Sequence, residues 1–441
     1  MATYEDREAF IPYRRSDLIE LCLQDGQLPE GDRQKFREFC TILTAYYHFE
    51  LHQLLERLKD RFAPFNPDAD TKFIESPDST QLKEMESGLV EDLKILLKRA
   101  NYVPLSPESL QRAFREKSLI ELQTDVDFDD FDQMVCYCRG DIYKMATIRQ
   151  FFKSVQKTID IFERVVLLLK FKDEDYFIRK GRRLEKLNFE PGKMYVYYYK
   201  NIPKFDLEFL FPNVKISMTW KDRILLAVPA IGAAVPLILK VLPHLLLIAT
   251  LILLLVGGLP GLEHLKPNDR QLQDVMPVLV AVLSLAIAFG GFAFKQYNSY
   301  KNKKIKFQKN VTDTLFFRNM ASNLSVFQAL IDVAEEEECK EIILVYYHLL
   351  TSDKPLTPEA LDDRIEEWME NNFETKIDFD INGPLDNLSG LHAQLAPEGE
   401  IDGESQEVSL LRYDRAGCCH VLPLDRAKAA IDWIWDNAFV Y

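Results

Sequence analysis

The sequence predicts an α+β membrane protein with a mixed N-terminal domain, a two-span helical hairpin, and a C-terminal domain that is helical and winged-helix-like. Three observations carry this. Residues 275–294 (VMPVLVAVLSLAIAFGGFAF) are twenty in a row without a charge. At 1.5 Å per residue such a run matches a hydrocarbon core of roughly 30 Å. Residues 224–256 are apolar except for Lys240 and His244. Around these segments, apolar residues recur at helical spacing in some stretches and as β-branched or aromatic runs in others.

The apolar segments divide the chain into residues 1–220 as an N-terminal domain, 221–296 as the hairpin and 297–441 as the C-terminal domain. One straight helix over 224–256 would be about 50 Å long, too long for a single span. Pro229, Pro236 and Pro243 interrupt it, and each removes an internal hydrogen bond. The expected elements are an interfacial half-helix over 224–239, a span over 241–259 closed by Gly257, Gly258, Pro260 and Gly261, and a second span over 275–294.

Lys240 and His244 stand one helical turn apart and share a face. Ionisable residues at membrane depth are functional candidates; the plainer reading is a lysine that snorkels to the interface. Lys295, Lys301, Lys303, Lys304, Lys306 and Lys309 follow the second span, and Lys215, Lys221 and Arg223 precede the first. Positive flanks stay cytoplasmic, so an integral, multi-pass placement with both termini on the cytoplasmic side is expected. The six lysines are then assigned to lipid headgroups, with the bilayer as a partner.

Net charge is −15 over 441 residues, which argues against a general nucleic-acid binder. The start, MATYEDREAF, shows no secretion signal or Arg-rich transit peptide. Seven scattered cysteines without a CxxC pair read as free thiols.

In chain order, Ser16 is expected to cap a short helix through Cys22. Phe36, Phe39, Cys40, Leu43, Tyr47, Leu51, Leu54, Leu55 and Leu58 then mark one long helix over 32–62, stopped by Pro64. Leu82, Met85, Leu89, Leu93, Leu96 and Leu97 mark another, and Ser106-Pro107 opens a third. Strands are expected over 165–171, 195–200 and 214–218. Further helices are expected over 319–350, 358–371, 381–391 and from Asp425 through Trp435, with strands 408–413 and 418–422 paired as a hairpin. Three helices and a two-stranded wing give the winged-helix-like order. The segment 381–391 has no Arg or Lys for base edges, so the unit reads as a protein-contact module.

No chemical motif emerges. His48 and His52, one turn apart, are the weak metal candidates; Glu50 between them lies on another face, so this is not HExxH. The acidic run Asp125, Asp127, Asp129, Asp130, Asp132 lacks the glycine and glutamate of an EF-hand and reads as a surface loop. The carboxylates of Glu335, Glu336, Glu337 and Glu338 point round a whole helix and read as a solvated face, with Glu336 and Lys340 as an i,i+4 pair. Arg179, Lys180, Arg182 and Arg183 form a basic patch without a phosphate-binding loop. These residues imply no cofactor and no catalytic group.

Several stretches together, FIPYRRSDLIEL, YYHFELHQLL, DVDFDDFDQMVCYCRGD, KNIPKFDLEFLFPNVKISMTWKDR, AEEEECKEIILVYYHLL and ETKIDFDINGPLDNL, resemble the transmembrane protein 143-like family. This is a domain-of-unknown-function family of bacteria, notably cyanobacteria, and of organelles. The resemblance implies a two-span membrane protein of bacterial type and brings no catalytic residues. The leading expectation is a membrane-anchored scaffold or regulatory protein that contacts an unidentified protein. One alternative is a homo-oligomeric channel or transporter subunit using Lys240 and His244. The other is a membrane-bound hydrolase or metalloenzyme using His48, His52 and the aspartate run.

Overall fold

The computed structural model describes residues 10–106, 110, 122–150, 153–218, 269–374, 376–396 and 405–438. The chain forms two compact units. One gathers residues 1–116, 128–207 and 317–441; the other holds 117–127 and 208–316.

In the first unit, α1 (Arg15–Gln24) and α2 (Glu30–Phe62) lead to α3 (Ser79–Arg99). The apolar spacing of α2 buries Phe36, Phe39, Cys40, Leu43, Tyr47, Leu51, Leu54, Leu55, Leu58 and Phe62, the stripe its sequence announces. Asp78 starts α3 through a capping box: its Oδ1 accepts from the amides of Thr80 and Gln81, while Gln81 Oε1 accepts from the Asp78 amide. An antiparallel five-stranded sheet follows, in the order β1 (Val103–Pro104), β3 (Phe131–Gln150), β4 (Lys153–Phe171), β5 (Met194–Pro203), β7 (Asn319–Ser322). The short helix α4 (Glu174–Arg179) follows β4. The expected strands 165–171 and 195–200 are therefore the last part of β4 and the inner part of β5. Cys136 and Cys138 alternate along β3 and are both buried.

The C-terminal part of this unit comprises α6 (Leu324–Leu350), α7 (Pro358–Phe373), α8 (Asn382–Gly390), β8 (His392–Leu395), β9 (Gln406–Ser409), β10 (Leu411–Tyr413), β11 (Cys419–Val421) and α9 (Leu424–Asp436). β10 pairs with β11 as expected around the Asp414 turn. The single strand expected over 408–413 is instead two, because β9 turns away to pair with β8.

Two apolar cores form in this unit. One joins α1 and the first half of α2 to the second half of α6, α7, α8 and α9. The other joins the second half of α2, α3 and the sheet to the first half of α6. α2 and α6 run antiparallel through both: Phe39 stacks on Tyr346 at 4.2 Å between ring centroids, and Phe62 meets Phe327 edge-on at 5.3 Å. The charged run Glu335–Glu341 of α6 falls where one core gives way to the other.

The second unit pairs β2 (Leu122–Asp125) with β6 (Lys215–Met218) and carries most of α5 (Asp269–Arg318). Here the expected membrane fold is corrected. Among the described residues no helix is long and apolar enough to cross a membrane. The charge-free run 275–294 is not a separate element. It is the first half of a 50-residue helix that continues unbroken through the lysines to Arg318, and Val280, Leu283, Ile287 and Phe294 stand exposed along it. A charge-free window in a sequence does not fix where a helix stops. The half-helix 224–239, the span 241–259, Lys240 and His244 lie outside the described residues, so the two-span hairpin has no described second leg. The multi-pass placement with cytoplasmic termini falls with it. The architecture of the described residues is mixed helix and antiparallel sheet.

Candidate functional site

The residues that stand out lie at the seam between the two cores. α6 is apolar on both sides of Glu335–Glu336–Glu337–Glu338–Cys339–Lys340–Glu341. Ala334 belongs to one core and Cys339 to the other. Consecutive residues of a helix point about 100° apart, so these side chains fan out to different neighbours.

Glu335 accepts from Arg15 Nη1 of α1 at 3.2 Å and meets His48 Nδ1 of α2 at 2.7 Å. Glu336 accepts from the Arg15 amide at 2.7 Å. Glu337 accepts from the Ile11 amide, from Arg139 Nη1 of β3 and from Lys340 Nζ, at 3.3, 3.3 and 3.1 Å. Lys340 also donates to the Ile11 carbonyl. Glu338 takes both ends of the Arg99 guanidinium from α3, whose third nitrogen reaches Glu50 of α2 at 3.0 Å. Glu341 accepts from the Asn101 side-chain amide at 2.6 Å.

The solvated acidic face expected from the sequence is thus corrected. Glu337, Glu338, Lys340 and Glu341 are all buried. Burial raises the Glu338 carboxyl above its usual range even beside Arg99, and pushes Glu341 up to about 8, with Glu337 and Glu338 adding to the effect. An acidic, amphipathic-looking window misled because α3, β3 and the segment entering α1 cover the helix at Glu337, Glu338, Lys340 and Glu341. The signal available was the placement of charges inside a helix apolar before and after them.

A groove opens beside the seam between α2 and α9. Two hollows of about 780 and 460 Å³ adjoin at Thr41. The smaller is walled by Ala45, Phe49 and Trp435, with His48, His52 and Glu335 at its polar edge. Phe49 and Trp435 meet edge-on at 5.9 Å between centroids. In the larger, Arg37 is tied to Glu20, Lys428 to Glu38, and Lys35 nearby to Asp425. Asp432 lines the same hollow and is exposed.

The two weak metal candidates land in this groove but do not converge on an ion. His48 is held by Glu335, while His52 Nε2 lies 3.9 Å from Glu56 on the same helix. Among the described residues no three of His, Cys, Asp or Glu are placed to hold a metal. The lysines assigned to headgroups lie on the second half of α5, with Lys295, Lys301, Lys306 and Lys309 exposed and Lys304 half-buried; the side chain of Lys303 is outside the described set. In the aspartate run, Asp130 is no surface residue. It is fully buried, with Lys180 Nζ at 2.7 Å and Arg182 Nη1 at 3.1 Å, so half of the basic patch serves this ion pair.

A buried histidine escaped sequence reading altogether. His348, 1% exposed, accepts at Nδ1 from Arg364 Nε at 3.2 Å, which assigns its proton to Nε2. Burial, then the Arg364 charge, pulls it down to about 3.

Residues 162–325 fit the family model described as "Protein of unknown function (DUF3754)". The matched stretch runs from within β4 through α5 to the first residues of α6. No solved structure matches the chain. The unknown-function part of the family resemblance therefore stands, and residues 162–325 are a DUF3754 domain.

Proposed function

We propose that the protein is a scaffold or regulatory protein whose groove between α2 and α9 receives a cationic amphipathic helix of a protein partner. The observation that carries this is the groove itself: an aromatic wall of Phe49 and Trp435 beside a polar rim. Amphipathic helices bind grooves of this kind through a few apolar anchors. The charge of the segment follows from the rim. Its cations Arg37, Lys428 and Lys35 are each neutralised by a carboxylate, and Asp432 adds acid, in a chain of net charge −15. Kinship with the transmembrane protein 143-like family over the rest of the chain belongs to the same proposal. Its support is the blocks outside 162–325, FIPYRRSDLIEL and ETKIDFDINGPLDNL among them.

Site-specific photocrosslinking tests the groove. A photoreactive residue at Ile42 is expected to capture a cationic amphipathic segment, and one at Lys94, exposed on α3, is expected not to. Equal capture at both positions, or none at Ile42 in cells, overturns the reading.

A further inference from the structure

Five apolar residues of α5 face solvent along one line. At 100° per residue, Val280, Leu283, Ile287, Phe294 and Ile305 fall within about 60° of one another, and each is more than half exposed. Lys301 stands in the same arc, and Lys309, Lys295 and Lys306 follow along one edge, all exposed. No acidic residue occurs between Asp274 and Asp313. In a chain of net charge −15, this is a cationic helix with an apolar stripe left in water.

The groove between α2 and α9 offers the complement. Ile42 lines one hollow and Phe49 the other. They are seven residues apart on α2, about 10 Å along the axis, and Ile287 and Phe294 have the same separation on α5. In the larger hollow the acids Glu38, Asp425 and Asp432 outnumber the bases Arg37 and Lys428, and Glu335 adds a carboxylate to the smaller. Charge also decides how the stripe is covered. Two α5 helices side by side would set like charges against each other at Lys301, which is costly at an interface, whereas the groove sets the lysines against acid.

We infer that α5 of a second copy is the segment that enters this groove, with Ile287 and Phe294 in the two hollows and the lysines along the acidic rim. The inference rests on the reading of the groove as a site for a cationic amphipathic helix. Groove and helix belong to different units of the chain. Every copy therefore carries one of each, and the contact is head-to-tail.

Sedimentation of the purified full chain tests this. The parent is expected to self-associate, and less so as salt rises. Phe294→Asp disables the helix and Trp435→Ala the groove. Phe294 is exposed and Trp435 half-exposed, and each variant alone is expected to associate on the order of 30-fold more weakly. Mixed, the two variants retain one intact groove and one intact helix between them and should form a one-to-one pair. A monomeric parent, or a mixture that stays monomeric, overturns the inference. So does photocrosslinking at Ile42, in a mixture of isotope-labelled and unlabelled protein, that joins α5 only to the groove of its own chain. The reading of the groove is judged apart. Capture of a different protein at Ile42 in cells keeps that reading and overturns the second copy as occupant, and capture of nothing overturns both.

Discussion

Arg99 grips Glu338 with two parallel hydrogen bonds, Nε to Oε1 and Nη2 to Oε2, each 2.6 Å long. The pair fastens the end of α3 to the middle of α6 where neither apolar core reaches, and Nη1 extends the grip to Glu50 of α2.

Removing the arginine leaves a buried carboxylate without its cation. Arg99→Ala is expected to cost about 3–5 kcal/mol of stability, the range for breaking one side of a buried ion pair. Arg99→Lys should recover only part of this, because an ammonium cannot make the two-pronged contact. Chemical denaturation of the three proteins checks the order. A lysine variant as stable as the parent would show that charge alone, without the fork geometry, holds the seam.

Glu341 sets the alkaline limb of the stability profile. Its folded value, about 8, lies above its ordinary 4.5. Between those values the native state holds a proton that the unfolded chain has released, so stability falls as pH rises across the window and levels off beyond it. Glu341→Gln is expected to flatten that decline. Thermal melting between about pH 5 and pH 9 measures it, and a variant with the parent's slope would remove Glu341 as the cause.

His348 sets the opposite limb. Its folded value, about 3, lies below its ordinary 6.5. Through that window the unfolded chain binds a proton that the native state refuses, so stability falls as pH drops. His348→Gln keeps an acceptor for Arg364 without a titrating ring and should make the fold more resistant to acid. The two windows overlap between 4.5 and 6.5, where the slopes oppose each other and stability should be nearly flat.

In the groove, function and stability should separate. Trp435 is half-exposed on the last helix. Trp435→Ala is expected to shift the melting temperature little while weakening capture of a partner at Ile42 by on the order of 30-fold, as for an aromatic anchor worth about 2 kcal/mol. Titration of the captured segment against parent and variant gives the ratio, and an unchanged affinity would place the anchor elsewhere.

What could be read from the sequence was whatever repeats along one element. The stripe of α2 gave its buried face residue by residue, and β-branched or aromatic runs gave the end of β4 and most of β5. What could not be read depends on elements far apart in the chain. Glu336 and Lys340 have the spacing of a surface pair, yet Lys340 turns to Ile11 and Glu337 instead. His48 and His52 have the spacing of a metal pair, yet Glu335 claims the first. Asp130 looked like one acid among many until Lys180 and Arg182 closed over it. The length of α5 was missed because an uncharged window was taken for a whole helix.

The order in which the chain is made bears on the pairing of α2 with α6. Phe36 is built early and its ring neighbour Tyr347 late, 5.9 Å apart in the fold. At a synthesis rate of about 5–20 residues per second, the roughly 300 residues between them take on the order of 15–60 s. For that time the apolar stripe of α2 has no native cover from α6. A nascent chain in this state is a natural client for a chaperone that shields apolar helices, and truncation anywhere before α6 leaves the stripe bare for good.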